Sequence, residues 1–372
     1  MSKLEECILG DLVEFQRGYD LPKSKFVEGK YPVQSSNGIL GYHNEYKVEG
    51  PGITIGRSGT VGNPHLIREN FFPHNTSLFV KEFKGNDIEY IYYLLQYLDL
   101  GNQKSGSGVP TMNRNHLHPI KIRAYRDKTY QQRTIKILSL IDKKIQINNQ
   151  INHELEAMAK TLYDYWFVQF DFPDQNGKPY KSSGGKMVYN PELKREIPEG
   201  WGNSTLGEFA DLYQPKTISD KEMIEDGEYL VYGANGIIGR YSEYNHEDSM
   251  VTISCRGNCG IINVTRPYSW ITGNSMVVKP KDDIYNIDYI SNLLLSLSIS
   301  SVITGSVQKQ LTRTSLVPLK IIIPNKEIIE KYRAITNVSF EKRKAIQIEV
   351  EQLTQLRDWL LPMLMNGQVK VE

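Results

Sequence analysis

The sequence DKTYQQRTIKILSLIDKKIQINNQINHELEAMAKTLYDYWFVQF, residues 127–170, predicts one long amphipathic helix. It contains no proline and no glycine, and its apolar residues recur mostly at steps of three and four, which places them on one face of a helix. The residues of this stripe are Ile141, Ile145, Ile151, Leu155, Met158, Leu162 and Tyr165. Asn148 interrupts the stripe with a polar side chain of the kind that fixes register in a coiled coil. At about 1.5 Å per residue the helix is roughly 60 Å long, so we interpret it as a spacer that needs a partner helix.

A second stretch with the same pattern lies near the end of the sequence: NKEIIEKYRAITNVSFEKRKAIQIEVEQLTQLRDWLLPMLMNG, residues 325–367. Its apolar stripe is Ile328, Tyr332, Ile335, Ile346, Val350, Leu353, Leu356 and Leu360. Pro362 and Gly367 are predicted to close the helix. Two long amphipathic helices in one chain can pair antiparallel and bury each other's stripes. The alternative for either helix alone is an ordinary core helix.

Length and composition place the chain among ordinary soluble proteins. Its 372 residues, 40% apolar and 23% charged, suffice for two or more domains that each bury a core. No apolar run approaches the roughly 20 residues of a membrane span, so we expect a cytoplasmic protein that does not contact membranes. Of the three cysteines, Cys255 and Cys259 lie four apart without a second Cys/His pair nearby, so neither a zinc site nor a disulfide scaffold is predicted.

The basic residues are unevenly distributed, although the net charge is only +1. Eight basic and two acidic residues lie between 121 and 144, and seven basic and three acidic residues between 320 and 344. Both clusters fall at the N-terminal ends of the predicted long helices, where the helix dipole disfavours cations and an external anion would compensate. The alternative is a face of solvated lysines.

The chain contains an internal repeat at a nearly constant distance. Asn37 matches Asn235 at an offset of 198 residues, and Arg114 matches Arg313 at 199. Within each copy, ITIGRSG (53–59) and VTISCRG (251–257) predict strands that enter glycine turns. IEYIYYLLQYL (88–98) and IDYISNLLLSL (287–297) predict helices, and PIKIRAY (119–125) and PLKIIIP (318–324) predict closing strands. Each copy is therefore a module followed by a long helix.

These patterns predict an α+β (α/β-like) fold, in which two homologous globular domains are separated by two long antiparallel helices that form a coiled-coil spacer. The duplication predicts a pseudo-twofold molecule. The predicted domains are a first globular module (1–124), the first spacer helix (125–170), a linker rich in Pro, Gly, Ser and Lys (171–200), a second globular module (201–323), and the second helix with a C-terminal tail (324–372).

No catalytic motif is visible in the sequence. The glycine motifs lack the lysine and hydroxyl residue of a P-loop, and neither a GxSxG elbow nor an HExxH helix occurs. The loops shared by the two modules are instead rich in side chains that can contact base edges or phosphates. The candidates are Gln34, Ser36, Arg57, Ser58, Lys104, Asn113 and Arg114 in the first module, Tyr232, Asn235, Arg256, Asn258, Gln308, Lys309 and Arg313 in the second, and Arg126, Lys128 and Arg133 in the basic cluster. The alternative for Asn37-Gly38 and Asn235-Gly236 is that they are hairpin turns.

The chain resembles the specificity (S) subunits of type I restriction-modification systems. The resemblance rests on the order of motifs along nearly the whole chain. These are LGD (9–11) and LGE (206–208) at the module starts, YWFVQFDFP (165–173), IPEGW (197–201) and LLPMLMNGQV (360–369).

The resemblance implies a non-catalytic subunit that binds double-stranded DNA. Two target-recognition domains would each read one half of a split, asymmetric sequence, and the helices would act as a ruler and dock two modification (methyltransferase) subunits. The resemblance also allows restriction subunits as partners. S-adenosylmethionine would bind the modification subunit and ATP with Mg the restriction subunit, so no cofactor is expected in this chain.

Two alternatives belong to other classes of protein. A stand-alone DNA-binding regulator with duplicated modules would bind DNA tightly without partners, although no helix-turn-helix is visible. An adaptor with duplicated binding modules would show no salt-dependent affinity for DNA. Co-purification of a modification subunit at two copies per chain would separate these alternatives from the resemblance.

Overall fold

A computed structural model describes residues 4–102, 112–305 and 309–369. The chain forms two compact units: unit 1 comprises Met1–Asn149 and Ile348–Glu372, and unit 2 comprises Gln150–Gln347. Each unit contains one globular module and one part of each long helix. The units therefore divide both helices, whereas the five domains proposed from the sequence treat each helix separately. That five-part division stays a prediction.

The first module and the helix after it consist of short strands and helices. In chain order these are β1 (Glu5–Ile8), β2 (Glu14–Arg17), β3 (Tyr31–Ser35), β4 (Gly38–His43), β5 (Gly52–Gly56), β6 (Pro64–Ile67), β7 (Phe72–Pro73), β8 (Ser77–Glu82), α1 (Ile88–Tyr97), α2 (Arg114–Leu117), β9 (Lys121–Ala124) and α3 (Lys128–Tyr163), which ends in a π-helical turn (Asp164–Val168). One sheet has the order β2-β8-β5-β6 and another β4-β3-β7, and β1 pairs antiparallel with β9. The predicted strands at 53–59 and 119–125 and the helix at 88–98 are confirmed.

The second module and the helix after it repeat this plan. A hairpin of β10 (Met187–Asn190) and β11 (Arg195–Pro198) precedes the module, and the elements that follow are β12 (Gly202–Thr205), α4 (Leu206–Phe209), β13 (Ala210–Tyr213), β14 (Tyr229–Gly233), β15 (Gly236–Tyr241), β16 (Val251–Ser254), β17 (Ile262–Val264), β18 (Ser269–Ile271), β19 (Ser275–Pro280), α5 (Ile287–Ser296), α6 (Arg313–Leu316), β20 (Lys320–Ile323) and α7 (Lys326–Met365). The sheet orders β13-β19-β16-β17 and β15-β14-β18 and the pair β12-β20 correspond one by one to those of the first module. The repeat found in the sequence is therefore a repeat of topology.

A separate core stabilises each unit. In unit 1, α1 buries Tyr90 and Leu94 against β5 and α3, and in unit 2, α5 buries Tyr289 together with Tyr332 of α7. Both short helices begin at a polar cap: the side chain of Asp87 accepts a hydrogen bond from a backbone N–H three residues on, and so does the side chain of the residue before α5. Each globular module is thereby fixed to the long helices.

The two long helices pair antiparallel within each unit. In unit 1, Arg357 forms an ion pair with Asp142 (3.1 Å), and Glu349 accepts a hydrogen bond from Asn148 (2.8 Å). In unit 2, the hydroxyl of Tyr332 donates to the carbonyl of residue 159 (3.3 Å), while residue 343 faces residue 156. Higher numbers on one helix face lower numbers on the other, as predicted. Asn148 is 1% exposed, so it lies in the seam between the helices.

Four residues of the predicted stripes lie outside this seam. Met158 and Ile335 are 63% and 51% exposed, and Tyr165 and Leu356 are also exposed. The packed positions alternate in steps of four and three, at 141, 145, 148, 152, 155, 159, 162 and 166 on α3 and at 332, 336, 339, 343, 346, 350, 353, 357, 360 and 364 on α7. Several of these positions carry small or polar residues, and the residue immediately before them is apolar. Hydrophobic periodicity therefore pointed to that preceding residue. Assigning these four residues to the buried stripes was therefore wrong.

Two further expectations are corrected. Pro362 does not close α7, because the helix continues to Met365 and Gly367, with φ of 77°, follows its end. The predicted linker 171–200 connects the first helix to the second module, but it is folded: β10 and β11 form a hairpin, and Phe172 stacks on the ring of residue 201. Among the described residues, no helix is long and apolar enough to cross a membrane.

Candidate nucleic-acid interface

The loop after β5 in unit 1 fixes Arg57 by its backbone. The N–H of Arg57 donates to the carbonyl of Thr76 (2.8 Å), and its own carbonyl accepts from the N–H of Met112 (2.8 Å). Ser58 also donates its backbone N–H to Thr76 (3.2 Å). A side chain at Gly56 would collide with the backbone of the same loop, so the turn requires glycine there. The backbone is thus held in place while the arginine side chain extends from it.

Arg57 lines a cleft of about 590 Å³ in unit 1. The cleft brings together three candidates, Arg57, Asn113 and Arg114, and adds Arg17, which sequence reasoning missed. Its full lining is Gln16, Arg17, Gly18, Tyr19, Asp20, Arg57, Asn75, Leu78, Asn113 and Arg114. Within the part of the chain that the structure describes, the guanidinium groups of Arg17, Arg57 and Arg114 form no ion pair and no side-chain hydrogen bond. With Asp20 as the single carboxylate in the lining, the cleft carries a formal charge of +2.

A histidine holds the two sides of the cleft together. His118 follows α2, and its Nε2 accepts a hydrogen bond from the backbone N–H of Phe15 in β2 (3.0 Å). Burial lowers the pKa of His118, which keeps the ring neutral and able to accept. The bond holds the helix that begins at Arg114 against the strand that ends at Arg17. The positions of these two arginines are therefore linked.

Arg114 and Arg313 occupy matched positions, as the sequence repeat predicted. Each is the first residue of a short helix, α2 or α6, that precedes the closing strand of its module. Asn113 caps α2 by accepting a hydrogen bond from the N–H of Asn115 (3.0 Å), and the hydroxyl of Thr312 caps α6 by accepting one from the N–H of Ser315 (3.3 Å). Both arginine side chains are exposed. The cap accounts for Asn113, whereas the local fold requires neither arginine.

The tips of the two matched hairpins have the same conformation. In unit 1 the loop Ser36–Asn37 joins β3 to β4, and the following Gly38 has φ of 103°. In unit 2 the loop Ala234–Asn235 joins β14 to β15, and Gly236 has φ of 99°. A two-residue turn followed by a left-handed glycine is the ordinary form of such a hairpin. The turn interpretation of Asn37 and Asn235 is therefore correct, and both side chains are exposed at the tips.

Three candidates are buried and do not belong to an accessible surface. Gln34 and Ser36 are 4% and 6% exposed, and the amide of Gln34 donates to the carbonyl of Ser35 (3.3 Å). Tyr232 is buried and its hydroxyl accepts a hydrogen bond from the N–H of Arg266 (3.2 Å). Their side chains stabilise the sheets rather than face solvent. This burial corrects their assignment as candidates for DNA contact.

The remaining candidates of the second module are exposed: Asn235, Arg256, Asn258, Lys309 and Arg313. An antiparallel bridge joins Arg256 to Gln310, so the loop after β16 lies beside Lys309. Lys104 and Gln308 fall outside the described residues. Unit 2 thus pairs the backbone of Arg256 with that of Gln310, and Arg313 lies three residues beyond this bridge.

The two modules present their loop arginines one residue apart. In unit 2, Cys255 donates its N–H to Asn274 (2.9 Å) and accepts from Leu311 (3.0 Å). These are the backbone bonds that Arg57 makes in unit 1, so Cys255 takes the place of Arg57 and Arg256 that of the next residue. Burial raises the pKa of the Cys255 thiol to about 11. Both modules therefore carry an arginine at this loop, but at backbone positions one residue apart.

The basic cluster of the first helix is open to solvent. Its exposed members are Lys121, Arg123, Arg126, Lys128, Arg133, Lys136, Lys143 and Lys144. Lys144 forms an ion pair with Glu349 (3.3 Å), and the other seven form none with the residues that the structure describes. The cluster at 320–344 differs, because most of its cations are paired. Its pairs are Lys320–Glu192, Lys326–Glu330, Lys331–Glu327, Arg343–Asp288 and Lys344–Glu341.

The sequence of the chain is similar to that of a known protein family. The family model of the type I restriction modification DNA specificity domain matches residues 1–157 and 198–352. The chain is 24% identical over 356 residues to the type I restriction enzyme MjaIX specificity subunit of Methanocaldococcus jannaschii, covering 86% of this chain and 76% of that protein. It is 24% identical over 318 residues to the HindI specificity subunit of Haemophilus influenzae, covering 65% of this chain and 68% of that protein.

The fold is similar to a solved structure. The crystal structure of the type I restriction-modification S subunit from M. genitalium matches with a TM-score of 0.59 at 19% identity, covering 98% of this chain and 96% of that one. This likeness confirms the α+β fold with long helices. The two family matches span both modules and together more than half of the chain. The chain therefore belongs to the family of type I restriction-modification DNA specificity subunits and carries two specificity domains.

Proposed function

We propose that each module binds one half of a bipartite, asymmetric target in double-stranded DNA. The observation that carries this proposal is the cleft of unit 1, in which three unpaired guanidinium groups, those of Arg17, Arg57 and Arg114, line one concave surface. Unpaired arginines suit phosphate oxygens and guanine edges. The two modules carry their loop arginine at backbone positions one residue apart, which supports two different half-sites.

The open basic cluster at 121–144 supports backbone contacts beside the cleft. It begins in β9, the strand that follows α2, and seven of its cations lack an acidic partner among the described residues. Contacts from such side chains add affinity without sequence preference and make binding depend on salt. Sequence preference then comes from the loops.

Exchange of one module tests the proposal. Replacing residues 1–124 with the corresponding module of a relative should change one half of the methylated sequence and leave the other half and the spacing unchanged, because each module has its own core. Mapping of methylated bases in host DNA measures both halves at once. Exchange of residues 201–323 is the matched control and should change the opposite half. A chimaera that changes both halves together would contradict independent modules.

We further propose that the long helices dock two modification subunits through a second apolar stripe. In unit 1 this stripe comprises the exposed residues Ile137, Leu140, Leu356 and Trp359, and in unit 2 Met158, Tyr165, Ile335 and Val338. Several of these lie immediately before a seam position, so they flank the paired helices on one side. Exposed apolar side chains at regular helical spacing are typical of a surface that another helix covers.

The repeat supports a stoichiometry of two. Ile137 and Ile335 are separated by 198 residues, and the same offset relates Leu140 to Val338 and Met158 to Leu356. The chain therefore carries the same apolar positions twice, once in each unit. Two equivalent surfaces suit two copies of one partner.

On this proposal S-adenosylmethionine, and ATP with Mg where a restriction subunit is present, bind the partners, and this chain supplies no catalytic residue. The assembly acts in the cytoplasm, together with its DNA.

Aspartate substitutions in one stripe should remove one partner. We expect the double variant Ile137→Asp, Leu140→Asp to lower the affinity for one modification subunit about 10- to 100-fold, since burying a carboxylate in an apolar contact is costly. Native mass spectrometry should show a shift from two partners per chain to one. The pair Ile335→Asp, Val338→Asp should have the same effect, and Gln146→Asp, which is exposed off the stripe, should have none. Retention of two subunits by both double variants would place the docking surface elsewhere.

A further inference from the structure

Each hairpin exposes an isoleucine directly after its tip. Ile39 and Ile237 are 54% and 52% exposed and occupy the same position of the repeat, each following the left-handed glycine. Single exposed apolar residues are common on protein surfaces. Here, however, isoleucine occurs at the same exposed position in two modules, and each module lies within a specificity domain. We therefore treat this isoleucine as a functional feature of the module.

The hairpin that carries Ile39 exposes its tip and its outer strand β4, whereas β3 is buried. Ile39 pairs with Gln34 in an antiparallel register, and β4 lies at the edge of its sheet, in the order β4-β3-β7. The β14–β15 hairpin has the same arrangement, with Ile237 opposite Tyr232. The tip of a two-stranded hairpin is of a size that the major groove of B-form DNA admits.

The tip of the first hairpin is fixed beside the cationic cleft. The N–H of Ser36 lies 3.4 Å from the hydroxyl of Thr76, and the carbonyl of Thr76 accepts from the N–H groups of Arg57 and Ser58. The carbonyl of Ser36 also faces Nε2 of His65 (3.4 Å). The hairpin tip and Arg57 are therefore both hydrogen-bonded to Thr76, and a duplex held by the arginine lies within reach of the tip.

We propose that both hairpin tips enter the major groove and that Ile39 and Ile237 each contact the methyl group of a thymine, one in each half-site. Thymine is the base that presents an apolar group in this groove, and the minor groove displays no methyl. The neighbouring Asn37 and Asn235 project at the tips, where an amide can pair with an adenine edge. The unpaired Arg57 beside the first hairpin tip favours DNA over an apolar protein partner. This inference rests on the proposed function and adds the residues that read thymine.

A coupling experiment tests the contact. Binding of the assembled complex to target duplexes is measured by fluorescence anisotropy, with each thymine replaced in turn by deoxyuridine, which removes only the methyl group. For the wild type we expect one such replacement per half-site to lower affinity about three- to tenfold, as burial of one methyl group predicts. Ile39→Ala should lower affinity for the full target by the same factor and abolish the effect of deoxyuridine in one half-site. Ile237→Ala should do the same in the other.

An exposed apolar residue away from the hairpin tip provides the control. Val27→Ala removes an equally exposed apolar side chain of unit 1 and should leave every deoxyuridine effect intact. Equal deoxyuridine effects in Ile39→Ala and wild type, or a half-site that contains no A·T pair, would overturn the proposal. Absence of sequence-specific binding by the wild-type complex would instead contradict the proposed function itself, so the two failures differ.

Discussion

Replacing Arg17, Arg57 and Arg114 together with glutamine is expected to lower the affinity of the assembled complex for its target at least about 100-fold. Each bidentate contact to a base is worth about 1 to 3 kcal/mol, and each phosphate contact releases about one counterion. The three side chains line one cleft without an acidic partner among the described residues, so no internal ion pair competes for them. Their replacement should therefore lower the affinity for DNA and leave the free energy of unfolding nearly unchanged.

Titration with salt separates the roles of the three arginines. Contacts to phosphate would reduce the slope of log affinity against log salt by about 0.9 each, whereas loss of a base contact would relax one position of the methylated sequence. The matched control removes three other exposed cations of unit 1, Lys23, Lys25 and Lys30, and should change affinity only slightly. An equal loss in both triple variants would show that total charge, and not the cleft, governs binding.

The repeat made most of the fold predictable. The offset of 198 to 199 residues linked strands and helices of the two modules, and the structure confirms the same sheet orders in both. The seam of the long helices was predicted less well. Its packed positions include polar residues such as Asn152, Thr336 and Arg343, which hydrophobic periodicity does not identify. Exposed apolar neighbours such as Met158 were chosen in their place.

The candidate site was predictable only where the repeat or a charge marked it. Arg114 and Arg313 were found because both modules carry an arginine at one position. Arg17 carried no such signal, because backbone pairing places Gln214 at the matching position of the second module. The burial of Gln34 was not visible either, since β3 is the middle strand of its sheet, is buried on both faces and shows no polar alternation.

Arg343→Ala is expected to destabilise unit 2 by about 3 to 5 kcal/mol, a lowering of the thermal midpoint by roughly 10 °C. Arg343 hydrogen-bonds Asp288, which is 3% exposed, and Glu156 lies 3.7 Å from the same guanidinium. Removing the arginine leaves the buried carboxylate without its cation. Arg357→Ala in unit 1 is the matched control. That arginine pairs with the half-buried Asp142, so its loss should cost only about 1 kcal/mol.

The pH dependence of this loss identifies its cause. Burial raises the pKa of Asp288 even though Arg343 opposes the shift, because desolvation outweighs the ion pair. A carboxyl group whose pKa is raised on folding stabilises the fold below its unfolded pKa and loses that contribution as pH rises through the folded pKa. Without Arg343 the folded pKa rises further, so the deficit of Arg343→Ala should be smaller at about pH 5 than at about pH 7.5. A deficit independent of pH would point to lost packing instead.

A double variant separates the two charges from their surroundings. Asp288→Leu with Arg343→Met removes both charges and keeps similar volumes, so it should restore most of the stability that Arg343→Ala loses, as apolar replacement of buried ion pairs commonly does. Atoms Oδ2 of Asp288 and Nε of Arg343 have no hydrogen-bond partner among the described residues, so the native pair is incompletely satisfied. Replacing both residues therefore removes two desolvated charges at little loss of bonding. If the double variant were as unstable as Arg343→Ala, the side-chain shapes at this position, and not the uncompensated charge, would determine the stability of unit 2.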